Sequence, residues 1–311
     1  MSSPIHHHQF LLLGAGELGT AFLPHLSSLP NTHITIAIRT PSKYAHLSGP
    51  NTSLLSLDIS GPSEDLAKTF ANYSTVIICT GFGQPAGTIT KLAKEILQAG
   101  LLRKEAGLGK LWFFPWQWGV DYDVTGDCGG LMPLFGEQLQ VRKLLRSQAA
   151  QSHVTWTIVS TGIFMSFLFE PFWGVVGEEK AGAGFVVRAL KSWEHKVTVT
   201  SVSDIGKTLA RVVAGDVESE DRILYIAGDT VSYAELAGIV GRVTGKNVRR
   251  EEWTTQHLEE ELAKDPENLI KKYRVVFAGE GVWWDKEITV NYKLGMPLTG
   301  VEMYAKQHLA A

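Results

Sequence analysis

The chain has 311 residues, 44% of them hydrophobic and 20% charged, with a formal net charge of −3. That is enough apolar material for one large globular unit or for a nucleotide domain with a smaller lobe, and it lacks the concentrated basic surplus of a nucleic-acid binder. Two cysteines, Cys79 and Cys128, make no disulfide framework; no apolar stretch approaches the ~20 residues of a membrane helix, and the start of the chain carries no signal-peptide pattern, so a reducing, cytoplasmic setting away from membranes is expected.

His6, His7 and His8 come first. Adjacent histidines on a leader make a poorly preorganised ligand set, and no metal is expected. Phe10 to Leu13 is a short apolar run ending at glycine, Glu17 to Leu26 has helical spacing, and Ile34 to Ile38 is rich in β-branched residues. Together they read as a βαβ unit. The alternation continues with a strand near Leu54 to Leu57, a helix near Glu64 to Ala71, the strand Val76 to Cys79, a helix near Thr88 to Ala99 and the strand Leu111 to Phe114. It then gives a helix over Glu137 to Gln148, the strand Trp156 to Ser160, a helix over Asp204 to Val213 and a late strand over Arg222 to Ala227. Such alternation predicts a parallel sheet covered by helices on both faces.

From about Gly162 the texture changes. Phe164, Phe167, Phe169, Phe172 and Trp173 crowd together before a glycine-rich turn at Gly182 and Gly184. Ser232 to Gly245 reads as a helix with a serine cap, and Thr255 to Leu262 as another capped by Thr255. The expected organisation is therefore residues 1–161 as a nucleotide-binding domain and 162–311 as a smaller lobe, interleaved with the last strands and helices of the sheet. Trp283, Trp284 and Asp285 form a late cluster that pattern alone does not place.

Gly14-Ala15-Gly16-Glu17-Leu18-Gly19 sits between the first strand and the first helix. In a dinucleotide-binding turn the first glycine leaves the strand sharply, the second admits the pyrophosphate to the backbone, and the third lets helix and sheet close up, with the helix N-terminus facing the anion. The fold class is thus α/β, a Rossmann-type doubly wound parallel sheet. About 20 residues on, NAD proteins place an acid for the ribose hydroxyls. Here the second strand ends Ile38-Arg39-Thr40-Pro41-Ser42-Lys43. Arg39 can form a charge-assisted fork with a 2′-phosphate and Lys43 adds a second cation, which favours NADP(H). Asp58, closing the third strand, either approaches the adenine or serves only as a turn residue, and Thr80, Gly81 and Phe82 follow the fourth strand at the edge expected to meet the cofactor.

At Leu111-Trp112-Phe113-Phe114-Pro115-Trp116-Gln117-Trp118-Gly119-Val120-Asp121 the sequence resembles the NmrA-like and isoflavone-reductase-like branch of the atypical short-chain dehydrogenases. Further segments carry the likeness over most of the chain: Ala99-Gly100-Leu101, Phe135 before a basic helix, Thr157 to Phe164, Ser203-Asp204-Ile205-Gly206 and Ile226 to Ser232. The resemblance implies an NADP(H)-binding domain, with Pro115 and Trp116 beside the cofactor, and a small lobe enclosing a hydrophobic, often aromatic or polyketide-like substrate. Trp118, Phe164, Phe167 and Trp173 are then the substrate-facing aromatics.

Two departures matter. Gly14-Ala15-Gly16 has shorter spacing than the family's usual glycine motif. The lysine that the family's reductases place on the helix after Phe135 aligns with Gln138, whose carboxamide cannot titrate. Lys143 replaces it only if the alignment slips, and none of the eight tyrosines has a lysine four positions later. Gln138 and Tyr122 remain the candidates for addressing the substrate oxygen. Three functions stay open: an NADPH-dependent reductase of a hydrophobic secondary metabolite, a redox-neutral isomerase or cyclase, and a non-catalytic NADP(H) sensor. A monomer or homodimer is expected.

Overall fold

The computed structural model describes residues 8–179 and 183–309; His6, His7 and Gly182, singled out above, lie outside them. The chain runs through β1 (His8–Leu13), α1 (Glu17–Leu26), β2 (Thr32–Ile38), a 3-10 helix (Pro41–Leu47), β3 (Thr52–Ser56), α2 (Ser63–Phe70), β4 (Thr75–Ile78), α3 (Thr88–Glu105), β5 (Leu111–Phe114), α4 (Tyr122–Thr125), α5 (Pro133–Gln148) and β6 (Val154–Ser160). It continues with β7 (Ile163–Phe164), β8 (Val176–Glu178), β9 (Phe185–Leu190), β10 (Lys196–Thr200), α6 (Val202–Val213), β11 (Arg222–Tyr225), β12 (Asp229–Ser232) and α7 (Tyr233–Thr244). The last elements are β13 (Val248–Trp253), α8 (Thr255–Ala263), α9 (Leu269–Phe277), α10 (Val290–Lys293) and α11 (Val301–Leu309).

Seven strands form one sheet in the order β11-β6-β5-β4-β1-β2-β3. The pairs β1–β2, β1–β4, β2–β3, β4–β5 and β5–β6 are all parallel. Strands covered on both faces need near-continuous apolar runs, and Phe10 to Leu13 and Val76 to Ile78 are buried throughout. The chain lays β1 to β3 outward in one direction, then returns to place β4 on the other side of β1. This is the Rossmann-type doubly wound sheet, and the reversal opens a crevice beyond the carboxyl ends of β1 and β4.

The chain divides into two compact units. The first contains the chain up to Gln117, Glu137–Val159 and Ile205–Leu224; the second contains Trp118–Gly136, Ser160–Asp204 and the chain from Tyr225. This differs from a boundary at 161/162, because residues 118–136 group with the second unit. Local contacts explain it: Phe135 packs edge-on against Tyr122 at 5.0 Å and Tyr273 at 5.6 Å. Asp121 N–H donates to Gly281 O at 2.9 Å, and the Tyr225 hydroxyl donates to the Asp121 carboxylate at 2.7 Å.

Within the second unit two three-stranded sheets, β12-β10-β7 and β13-β9-β8, enclose a core that includes Met165, Leu168, Trp173, Val187, Val199 and Leu236. Helix α7 starts with a reciprocal capping box, Ser232 with Glu235, and stops at Gly245 in the left-handed region. The cap of α8 is Thr254, which accepts from His257 N–H at 3.2 Å, and Thr255 is the first helical residue. Of two adjacent threonines, the one in extended conformation can reach back to that N–H.

Helix α3 does not stop near Ala99; it continues through Gly100 to Glu105. A Cβ on Gly100 would lie 2.1 Å from Ser152 O and 2.5 Å from Val154 Cγ2. The glycine therefore serves close packing in a helix interior. Gly→Ala inside a helix ordinarily stabilises by about 0.5–1 kcal/mol. Gly100→Ala is expected to do the reverse, lowering the urea midpoint, with a thermal melt as the check.

His195 is buried, its Nε2 lies 2.9 Å from Phe277 O, and burial holds its pKa below the usual 6.5. The unfolded chain therefore takes the proton first, so this contribution to stability is complete above pH 6.5 and is lost as the pH falls below it. Urea titrations between pH 7.5 and 5.5 are expected to show that decline, and His195→Gln is expected to flatten it. Glu235 and Glu251, held below the usual 4.5, act only in a lower window.

Candidate dinucleotide site

The first unit brings the glycine motif, the ends of β2 and β3 and the turns after β4 and β5 to the carboxyl edge of one sheet. Gly14 leaves β1 at φ 101, with its N–H donated to Ala37 O at 3.0 Å, and its missing Cβ would stand 3.2 Å from Thr80 Cβ. A Cβ on Gly19 would lie 2.0 Å from Gly14 O, so any side chain there would push α1 off the strand end. Gly16, by contrast, has open space where a side chain would be, and no side chain caps the helix that it introduces. Leu18 is buried and anchors the first turn, and Glu17 is exposed. The positive end of α1 thus starts with no N-cap side chain and with open space at Gly16, the setting that a pyrophosphate requires.

Arg39 directly follows β2, and Lys43 lies in the next 3-10 turn; both are exposed. Asp58 is exposed and accepts from Ser60 N–H at 2.9 Å and Ser60 Oγ at 2.8 Å. Those hydrogen bonds, followed by the charges of Arg39 and Lys91, hold its carboxyl below the usual range. Asp58 is thus a turn-forming carboxylate within the electrostatic reach of Arg39.

Beyond β4, the Cα of Gly81 lies directly under the Trp116 indole, where a Cβ would come within 2.1 Å of Cδ2. Trp116 is half-buried, Pro115 is buried and Phe82 is 58% exposed. Gln138 is buried, and its side-chain oxygen has no hydrogen-bond partner. Its backbone carbonyl accepts from Gln117 Nε2 at 2.8 Å, and Gln117 Oε1 accepts from Arg142 Nε at 2.8 Å. Gln117 and Arg142 are both buried. Lys143 is exposed on α5.

The N-terminus of α3 is occupied from within the protein. Glu137 accepts from Gly87 N–H at 3.1 Å and from Thr90 N–H at 2.8 Å. Sequence reasoning missed Glu137, Gln117 and Arg142. A partner about 50 positions away leaves no local pattern, and Gln117 reads as an interruption between two tryptophans.

The other candidates belong to the second unit. Trp118 is buried. Tyr122 is buried against Phe135, with its hydroxyl 2.6 Å from where a Gly119 Cβ would be. These contacts pack Tyr122 into the second unit. Trp173, 1% exposed, meets Phe277 edge-on at 5.4 Å and is a core residue rather than a substrate wall. Phe164 and Phe167, 6.2 Å apart and edge to face, are only half-buried. Trp284 is buried and donates its indole N–H to Ile226 O at 3.1 Å, while Trp283 lies under the Lys196 ammonium.

Among the described residues no histidine, cysteine and carboxylate cluster has metal-site geometry, and no helix is long and apolar enough to cross a membrane.

A glycine turn of this geometry at the switch point of a doubly wound sheet defines an α/β protein of Rossmann-type fold. The chain belongs to the NmrA-like family, whose model matches residues 9–283. It is 40% identical over 311 residues to an NmrA-like family domain-containing oxidoreductase of Gibberella moniliformis, covering 95% of this chain and 96% of that one. It is 26% identical to a phenylcoumaran benzylic ether reductase of Nicotiana tabacum, over 77% of this chain and 71% of the other. The fold matches an Escherichia coli NADPH-dependent quinone oxidoreductase complexed with NADPH at a TM-score of 0.72, with 18% identity over 96% of this chain and 99% of that one.

Gly19→Ala checks the geometry of the turn. With the new Cβ against Gly14 O, dinucleotide affinity is expected to fall at least about tenfold by fluorescence titration, with a lower melting temperature, whereas Gly16→Ala meets no protein atom and is expected to leave the melting temperature unchanged.

Proposed function

We propose that the protein is an NADPH-dependent reductase acting on a flat hydrophobic substrate of aromatic or polyketide-like character. The observation that carries this reading is the pair of exposed cations, Arg39 and Lys43, just past β2, where an NAD protein places an acid, in the same unit as the open N-terminus of α1. The names of the Gibberella and Nicotiana relatives, an oxidoreductase and a reductase, support the reaction class.

The α1 amides and Gly16 hold the pyrophosphate, and Arg39 with Lys43 hold the 2′-phosphate. Gly81 and Trp116 form a flat, rigid wall at the end of β4 and β5. The nicotinamide, when bound, supplies a hydride equivalent. Gln138 offers a carboxamide oxygen with no internal partner, able to accept from a ligand hydroxyl. Since it cannot titrate, the proton that completes a reduction comes from water or from another group. Phe164 and Phe167 are the half-buried aromatics available to a substrate.

The same feature of Gln138 favours a second reading, a redox-neutral isomerase or cyclase that keeps the nucleotide. The test has two parts. Wild type is expected to bind NADPH more tightly than NADH, and Arg39→Ala to lose about tenfold or more for NADPH alone, as expected for a hydrogen bond between charged groups. With a panel of quinones and other conjugated carbonyl compounds, product is expected to form mole for mole with NADPH consumed. Product at constant nicotinamide absorbance would select the isomerase, binding without turnover a sensor, and equal affinity for both nucleotides would remove the NADP(H) assignment.

A further inference from the structure

The turn after β3 is tied to α3 by one side chain. Lys91 Nζ donates to Ile59 O and Gly61 O, both at 3.0 Å, and pairs with Glu95 Oε1 at 2.6 Å, one turn further along the helix. Glu95 is 2% exposed, and Lys91 keeps a third of its side chain in solvent. A buried carboxylate at this place fixes where the ammonium sits, and the ammonium then holds two carbonyls of the one turn. Asp58 opens the segment so held. Its carboxylate bonds Ser60, its carbonyl accepts Gly61 N–H at 3.0 Å, and the charge of Lys91 acts on it together with that of Arg39. The first turn of α3 is itself held by Glu137, the neighbour of Gln138, through Gly87 and Thr90.

We propose that Lys91 is a positioning residue for the adenosine half of the dinucleotide: its ammonium, set by Glu95, fixes the Asp58–Gly61 turn beside Arg39. This rests on the dinucleotide reading above. Lys91 touches no part of the ligand in this assignment. It acts through the turn, holding Asp58 and Arg39 at a constant separation, so that the 2′-phosphate meets a cation and not a drifting carboxylate.

Replacing Lys91 alone strands a buried carboxylate and threatens the fold, so the test uses Lys91→Met together with Glu95→Gln, and Lys91→Arg separately. Two readouts are taken: hydrogen exchange at the Ser60 and Gly61 amides without nucleotide, and affinities for 2′,5′-ADP, NADPH, NADH and reduced nicotinamide mononucleotide. The double variant is expected to exchange both amides faster. It is also expected to bind 2′,5′-ADP and NADPH about tenfold more weakly, the effect of one charge-assisted contact, with reduced nicotinamide mononucleotide unchanged and Lys91→Arg close to wild type. Unchanged exchange overturns the tie, and unchanged 2′,5′-ADP affinity overturns the positioning role. A parallel loss for the mononucleotide shows general loosening and also overturns it. Wild type that binds none of the four ligands sinks the dinucleotide reading itself, and the role of Lys91 with it, whatever the exchange shows.

Discussion

The contact between Gly19 and the carbonyl of Gly14 governs this molecule. With 2.0 Å between that oxygen and the place a Cβ would occupy, only hydrogen fits, and α1 can begin immediately above the end of β1. This approach sets the position of the helix amides, and through them the place assigned to the pyrophosphate in the proposed function. A helix displaced by one methyl group would still be a helix, but its N-terminus would no longer share an edge with Arg39 and Thr80.

Around that contact the first unit arranges polar groups by mutual constraint. Gly81 seats Trp116, Gln117 joins Gln138 to Arg142, and Lys91 joins α3 to the turn after β3. Buried polar groups stay where every neighbour is satisfied. The side-chain oxygens of Gln138 and Glu95 are exceptions, buried without a hydrogen-bond partner.

Much of this was legible along the chain, for physical reasons. β5 runs Leu111–Phe114 as its apolar run predicts, and the β1–α1–β2 unit follows from glycine punctuation and periodicity. Ser232 announces α7 because a capping box is local, four residues long. What stayed hidden is non-local. Gly100 reads as a helix stop until Ser152 is seen against it, and Thr254 and Thr255 are indistinguishable as caps without backbone angles. Residues 118–136 look like a continuation of the nucleotide domain until Phe135 is found between Tyr122 and Tyr273. At the site, the tight turn at Gly14 and Gly19 could be read from residue type and spacing, and the structure shows the close contacts that require glycine there. Glu137 and Lys91 could not, since each acts on backbone groups some 30 to 50 positions away. Tyr122 and Trp173 were chosen for their chemistry, and the structure buries both in the second unit.

The carboxylate of Glu137 on the first amides of α3 carries one more consequence. A doubly wound sheet offers a visiting anion more than one helix end, and each is attractive in principle. Here one end is already discharged by the protein's own acid, while the end at Gly16 carries no N-cap side chain. For the proposed ligand, the fold thereby favours the α1 end over the α3 end as the place for its phosphates before it arrives.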